Sequence, residues 1–375
     1  MNFNFETVPN IIFETGAAVR LGDIVKGDMQ RPCIVTDKGV IAAGLIDDAL
    51  QSLRVAGLDF VLFDGVEADP PAARVRDAVE VARAHKSDGV IGFGGGSSMD
   101  TAKIIAVLLN STQTLEDIYG MDQVTSARAP LVLLPTTAGT GSEVTNISVI
   151  TTDTDEKMGV LARQLYADTA ILDASLTLSM PRHVTSATGI DAMVHAIEAY
   201  TTKFKKNPVS DALATKALQL LSANIVHACE SPNDVKAREA MLLGAMLAGQ
   251  AFSNAPCAAV HAMAYPLGVH FHVPHGLANS LMLAPVLNFN IPAAEHLYAE
   301  LGPAIGAKAD ANAFVAALTD ICVATGVKQR LSEVGVSHNV LPKLAEDAVK
   351  IERLMKNNPR AMSYEDALRL YTEVL

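Results

Sequence analysis

Between residues 33 and 173 short apolar runs alternate with helical stretches, and this alternation leaves few folds open. Cys33-Ile34-Val35-Thr36, Phe60-Val61-Leu62-Phe63, Gly89-Val90-Ile91-Gly92-Phe93, Leu131-Val132-Leu133-Leu134 and Ala170-Ile171-Leu172-Asp173 read as buried strands. Their apolar residues run on without the polar alternation of a half-exposed strand. The segments 40–56, 71–85 and 98–109 between them carry helical spacing. Strand, helix, strand repeated in this way predicts a parallel sheet covered by helices on both faces, with ligands gathering at the carboxyl ends of the strands. Residues 9–16 predict one more strand and a turn ahead of that sheet.

Beyond residue 180 the strand runs stop. Alanine- and leucine-rich segments 211–227, 235–252, 311–324, 341–355 and 364–374 follow at helical spacing, punctuated by prolines. Two domains are therefore predicted, an α/β domain over 1–180 and an all-helical one over 181–375. A length of 375 residues, 50% hydrophobic and 19% charged, is enough for two cores. A net charge of −12 argues against a nucleic-acid or anionic-membrane partner, because both demand a cationic surface. Cys33, Cys229, Cys257 and Cys322 stand far apart and form no CxxC pair, so neither a disulfide framework nor a thiolate metal site is expected. The opening Met1-Asn2-Phe3-Asn4-Phe5-Glu6 lacks the pattern of a signal peptide, and no apolar run reaches membrane-spanning length. The expectation is a cytoplasmic protein.

The chemistry sits in two histidine-bearing stretches. In Gly189-Ile190-Asp191-Ala192-Met193-Val194-His195 the acid and the imidazole are four residues apart, one turn of a helix if the segment is helical. A carboxylate among Ile190 and Ala192 is costly to bury unless it is paired or bound to a metal. The second stretch, residues 261–275, offers His261 at the head of an apolar helical run and His275 just after Pro274. Three imidazoles and one carboxylate suit a divalent metal of intermediate softness, Fe(II) or Zn(II). By spacing alone His270 and His272 compete for the same role.

Gly92-Phe93-Gly94-Gly95-Gly96-Ser97-Ser98-Met99-Asp100 closes a strand and opens a helix. Consecutive glycines allow close backbone approach, and free amides at a helix start suit a phosphate. This is not the GxGxxG fingerprint. The loop Pro135-Thr136-Thr137-Ala138-Gly139-Thr140-Gly141-Ser142-Glu143 should emerge on the same sheet edge, and Asp37 follows the first strand. Together they outline a dinucleotide whose ribose diol Asp37 holds, its charge favouring NAD over NADP. Taken singly, Asp37 also fits a plain turn residue in Thr36-Asp37-Lys38-Gly39.

Gly94-Gly95-Gly96-Ser97 with Asp100, the Pro135-to-Glu143 loop, the two histidine stretches and Asn357-Asn358-Pro359-Arg360, in this order, closely resemble the iron-containing (group III) alcohol dehydrogenases. The resemblance runs nearly end to end. It implies a Rossmann-like dinucleotide-binding domain followed by a helical metal-binding domain, the dehydroquinate synthase-like architecture. It also implies hydride transfer between NAD(H) and a small primary alcohol or aldehyde, with the metal as Lewis acid. By matching motifs, the metal ligands fall on Asp191, His195, His261 and His275. The dinucleotide contacts fall on Asp37, Gly95, Gly96, Ser97, Ser98, Thr137 and Thr140, with Lys157 near the nicotinamide ribose; as a bare sequence feature, Lys157 reads as a solvated surface lysine. Where family members often carry a second histidine four residues after the third ligand, this chain has Tyr265, whose phenol, titrating at about 10 as a free side chain, exchanges protons at neutral pH less readily than imidazole. Phe252 and Cys257 are expected along the substrate pocket. Few charges flank the metal motifs, which predicts a short neutral substrate. A homodimer or larger homo-oligomer is implied as well. Glycerol dehydrogenase-like polyol oxidation and a dehydroquinate synthase-like lyase are the rival activities, and a metal-free binding module is the rival of another class.

Overall fold

A computed structural model describes residues 2–375. The chain forms two compact units. One comprises Thr7–Thr137 with Gly141–Ser179; the other comprises Met180–Leu375 with Ala138–Thr140 and the N-terminal residues up to Glu6. The sequence-based boundary at 180 assigns those two short pieces to the first domain. Local pairing explains their different placement: the backbone of Glu6 exchanges hydrogen bonds with the Asn254 side chain, and Gly139 lies hard against Thr188.

In the first unit the elements follow as β1 (Asn10–Phe13), α1 (Leu21–Val25), β2 (Pro32–Val35), α2 (Lys38–Ala42), α3 (Asp47–Val55), β3 (Val61–Phe63), α4 (Ala72–Ala84), β4 (Gly89–Gly94), α5 (Gly96–Leu108), β5 (Gly120–Met121), β6 (Leu131–Pro135), β7 (Ile147–Thr151), β8 (Lys157–Leu161) and β9 (Thr169–Leu172). Six strands make one parallel sheet in the order β1-β9-β6-β4-β2-β3. In register, Ile34, Ile91 and Val132 form a row across β2, β4 and β6, in one apolar core with Phe93, Leu134 and Ile171. Each such fully buried side chain contributes about 1.5–3 kcal/mol. The chain leaves β2 for β3 on one side and returns to β4 on the other, so the ends of β2 and β4 flank a topological switch point, the usual ligand crevice of an open α/β sheet.

Three details depart from the sequence reading. The helix expected over 40–56 breaks into α2 and α3 around Gly44, whose φ of 68° ends a helix readily. A small second sheet, β5-β8-β7, contains the antiparallel pair β7 and β8, hidden in the sequence behind the charged turn between them. The second unit contains a helix that its prolines concealed.

That unit consists of α6 (Arg182–Thr201), α7 (Pro208–Glu230), α8 (Val235–Asn254), α9 (Ala259–Phe271), α10 (His275–Leu301), α11 (Ala311–Thr325), α12 (Leu341–Val349), α13 (Glu352–Met355) and α14 (Tyr364–Glu373). The element α10 runs through Pro285 and Pro292 and leaves helical geometry only at Ala294. Helix α6 is buried on nearly every side, which is why it lacks a one-sided apolar stripe. Among the described residues no helix is long and apolar enough to cross a membrane.

Candidate active site

Asp191, His195 and Glu198 lie at i, i+4 and i+7 on α6 and so share one stripe of that helix. Two further helix starts bring the remaining groups to it. Helix α9 begins at Ala259, two residues before His261, and ends on His272 in the left-handed conformation (φ 52°). The chain turns through Pro274 and starts α10 with His275. The next residue, Gly276, allows this approach: a Cβ there would stand 2.3 Å from the Ala187 carbonyl oxygen, so only glycine lets α10 press so closely on α6.

The result is a cluster in which Asp191, His195, His261 and His275 each offer one ligand atom, all within 4.8 Å of one another. Asp191 Oδ1 lies 3.9 Å from His261 Nε2 and 3.7 Å from His275 Nε2, too far for hydrogen bonds. Ligands of a tetrahedral ion with bonds near 2.1 Å stand about 3.4 Å apart, so a small closure would seat one. His270 and His272 lie outside the cluster. His270 Nε2 faces Asp347 at 2.8 Å, and His272 caps α9.

The surroundings favour a cation. Glu198, only 3% exposed, accepts the amides of Ala258 (2.9 Å) and Val260 (2.7 Å) at the head of α9 and pairs with His261 Nδ1 at 2.6 Å. His261 Nε2 is thereby turned into the cluster, where it is buried with no hydrogen-bond partner. A ring held this way by a carboxylate is the usual outer support of a metal-binding imidazole. The Asn279 amide, one turn after His275, donates to Asp191 Oδ1 at 2.6 Å and lies 3.2 Å from His275 Nε2. Burial pushes His195 down to about 3, against the pull of Asp191, so its ring is neutral at ordinary pH. Burial resists the charge on Asp191, yet the facing imidazoles of His195, His275 and His261 hold its carboxyl below the usual value. Burial also opposes a charge on His261, but Cys257 and Glu198 outweigh it and raise that imidazole, so an entering cation competes there with a proton.

Phe252 stacks on His195 with ring centroids 4.3 Å apart, and His195 stacks on His261 at 4.7 Å. Cys257 borders the cluster beside Glu198 and His261; burial pushes its thiol up. His275 is the member that reaches the surface, its side chain 33% exposed, while Asp191 and His261 are closed off. The Tyr265 ring stands 5.8 Å from that of His275. Sequence reasoning missed Glu198 and Asn279. Their only signals are helical spacings, three residues after His195 and four after His275.

In the other unit, the switch point gathers a second group. Asp37 caps α2 by accepting the Val40 amide at 3.0 Å, and Ser98 Oγ donates to its other oxygen at 3.3 Å. Gly94 closes β4 at φ 154°, where an added Cβ would meet Ser98 Oγ at 2.6 Å. Gly95 faces Thr137 and precedes α5, whose N-terminus has no side-chain cap, so the amides of Gly96, Ser97 and Ser98 remain available. Behind this edge a fully buried Lys103 braces the structure. Its Nζ donates to Ser142 Oγ (2.8 Å), Thr145 Oγ1 (3.0 Å) and the Ile147 carbonyl (2.8 Å), and Asp100 accepts from Ser142 and the Val149 amide. Burial pushes Lys103 down to about 8 and the neighbouring Glu143 up to about 7. Two further predicted contacts stand on other elements. Lys157 begins β8 and pairs with Asp69 at 2.7 Å, its side chain only 11% exposed. Thr140 belongs with the helical unit.

Comparison with known proteins agrees with both halves. Residues 9–174 match the model of the iron-containing alcohol dehydrogenases, and residues 185–375 match the C-terminal model of the Fe-containing alcohol dehydrogenase family. The sulfoacetaldehyde reductase of Bilophila wadsworthia (strain 3_1_6) is 36% identical, with 99% of this chain and 98% of that protein covered. A crystal structure of 1,3-propanediol oxidoreductase superimposes with a TM-score of 0.97 at 33% identity, covering 100% of both chains. Sulfoacetaldehyde reductase from Bifidobacterium kashiwanohense in complex with NAD+ follows the same fold with a TM-score of 0.90 at 27% identity, covering 100% of this chain and 99% of that one. The chain belongs to the iron-containing alcohol dehydrogenase family and is an oxidoreductase of alcohols and aldehydes.

Proposed function

We propose that this protein is an Fe(II)-dependent enzyme that passes a hydride between NAD(H) and a small primary alcohol or aldehyde. The observation that carries this reading is the buried cluster of Asp191, His195, His261 and His275, with one imidazole nitrogen aimed inward and unpartnered. Those four side chains are the proposed ligands, and Zn(II) suits the same donor set. When bound, the cation supplies Lewis-acid polarisation of the substrate carbonyl.

The chain's own groups do the rest. Glu198 fixes which nitrogen of His261 faces the site, Asn279 orients Asp191, and Phe252 covers the flat side of His195 against water. Tyr265, beside the exposed His275, is the proposed group for proton exchange with the alcohol oxygen. Residues 1–180 are proposed to bind the dinucleotide, with its diphosphate on the amides of Gly95, Gly96, Ser97 and Ser98 and its ribose diol on Asp37, whose charge disfavours a 2′-phosphate. Thr137, Thr140 and Lys157 complete that set by analogy with the family. The proposal extends to a homodimer in the cytoplasm, in keeping with four buried cysteines that form no disulfide.

The test is anaerobic turnover of NADH with a panel of short aldehydes, before and after chelation, for the wild type and Tyr265→Phe. Chelation should reduce the rate more than a hundredfold and Fe(II) should restore it, because the polarising group is lost and returned. Undiminished turnover by protein that elemental analysis shows to be metal-free would refute the metal assignment. An unchanged rate and pH profile in Tyr265→Phe would remove Tyr265 from the proton route.

A further inference from the structure

The substrate's far end is set by what lies next to the exposed side of the cluster. There the short helix α13 packs on α9: Leu354 is buried with Cys257 and Ala262, and Phe252, Tyr265, Ile351 and Met355 close around them. Arg353 sits on the same short helix. Its Nη2 donates to the Tyr265 hydroxyl at 3.2 Å, and its guanidinium lies 5.8 Å from the centre of that ring. Resting on the oxidoreductase reading above, we propose that Arg353 forms an anion-binding subsite and that the substrate is a short aldehyde or alcohol bearing a sulfonate or carboxylate.

In this acidic chain many arginines neutralise acids, as Arg20 with Glu14, Arg76 with Glu116 and Asp153, Arg128 with Asp168, and Arg369 with Glu373, while Arg182, Arg238 and Arg360 spend their donors on main-chain carbonyls. Among the described residues no carboxylate lies within ion-pair distance of Arg353, and the one side-chain acceptor it reaches is a neutral phenol. A guanidinium carries five N–H donors in a planar fork, so most of its capacity is left for a planar or tetrahedral anion. Arg353 itself is exposed, so those free donors are open to an entering anion.

Geometry then limits the substrate's length. His275 is the open edge of the cluster, Tyr265 stands against His275, and Arg353 stands against Tyr265. The two spacings, 5.8 Å each, keep the guanidinium within about 12 Å of the His275 ring, a limit that suits a short chain rather than a lipid. Tyr265 becomes the floor joining the reacting end to the charged end. The flanking motifs predicted a neutral substrate because Arg353 is 88 positions from Tyr265 in the chain.

The test uses the Fe(II)-loaded enzyme with NADH and four aldehydes: 2-oxoethanesulfonate, 3-oxopropanoate, propanal and the cationic trimethylammonioacetaldehyde. Wild type should prefer one or both anionic substrates over propanal, and the two anionic arms show whether sulfonate or carboxylate is the natural group. In Arg353→Ala the ratio of kcat/KM for anionic over neutral aldehyde should fall about tenfold to a hundredfold, chiefly through KM. Arg353→Lys should recover part of it, and Arg353→Glu should shift preference toward the cationic aldehyde. An identical ratio in wild type and Arg353→Ala, or a wild-type preference for propanal, overturns the subsite. Calorimetric titration with 2-hydroxyethanesulfonate separates binding at the subsite from turnover. If no aldehyde is reduced, the proposed Fe(II)- and NADH-dependent reduction of short aldehydes fails, whereas equal binding of the sulfonate by wild type and Arg353→Ala refutes the subsite alone.

Discussion

At the end of β4 the groups turned toward a ligand are main-chain amides, those of Gly96, Ser97 and Ser98, left free because the start of α5 has no side-chain cap. On α6, α9 and α10 they are four side chains, three of them sealed in the helical core, with Glu198 and Asn279 behind them. A site made of backbone tolerates many side chains but needs one conformation. One made of side chains needs particular atoms and a rigid mount for each. The two proposed sites should therefore fail differently when altered.

The largest effect is expected for His261→Ala, which removes one ligand and leaves the Glu198 carboxylate buried without its imidazole. Metal content measured by elemental analysis should fall well below one per chain, and kcat/KM should drop on the order of a thousandfold, while NADH binding followed by fluorescence stays as in the wild type. Stoichiometric metal in this variant would dissolve the contrast from the helical side. Gly94→Val attacks the other half. It forces a β-branched residue to φ 154° and drives its Cβ toward Ser98 Oγ at 2.6 Å and Asp37 Oδ2 at 3.4 Å. The KM for NADH should rise about a hundredfold, as expected when a positioned ligand is displaced by about an ångström, with metal content retained. Loss of metal together with NADH affinity would mean that the two sites do not fail separately.

The same contrast governs what can be read from the chain. The strands of the main sheet were legible because burial on both faces leaves unbroken apolar runs, and the Asp191/His195 pair because helical spacing and ligand chemistry coincide in one short segment. The supports behind the ligands were not. Glu198 and Asn279 fall at ordinary helical spacings, and nothing local distinguishes a carboxylate that steadies a histidine from one that faces water. Arg353 reaches Tyr265 only through the packing of α13 on α9. Helix α10 went unread because Pro285 and Pro292 normally stop helices, and here tertiary packing outweighs the lost backbone hydrogen bonds. Fold and ligand types are local patterns; the groups that orient the ligands are products of packing.

Glu198→Gln sharpens the comparison most finely, because it keeps the size of the side chain and changes only charge and donor count. In the native arrangement one carboxylate oxygen accepts the Val260 amide while the other serves both the Ala258 amide and His261 Nδ1, so every contact comes from a donor. Either orientation of a glutamine amide turns an NH2 group against at least one of those donors. His261 then loses the anion that steadies its ring and raises its basicity. Metal affinity, measured by competition with a chelator, should weaken about tenfold to a hundredfold, less than for removal of the ligand itself, and the deficit should shrink as pH falls, because the wild-type His261, which Glu198 makes more basic, is the one that loses its ligand nitrogen to a proton first. Glu198 also lies at the amide-rich start of α9, so a role confined to capping that helix predicts something else: a lower melting temperature for the metal-free variant, with metal affinity and its pH dependence as in the wild type. That result would move Glu198 from the metal site to the helix, and it would leave the inward turn of His261 to packing against His195 and Cys257.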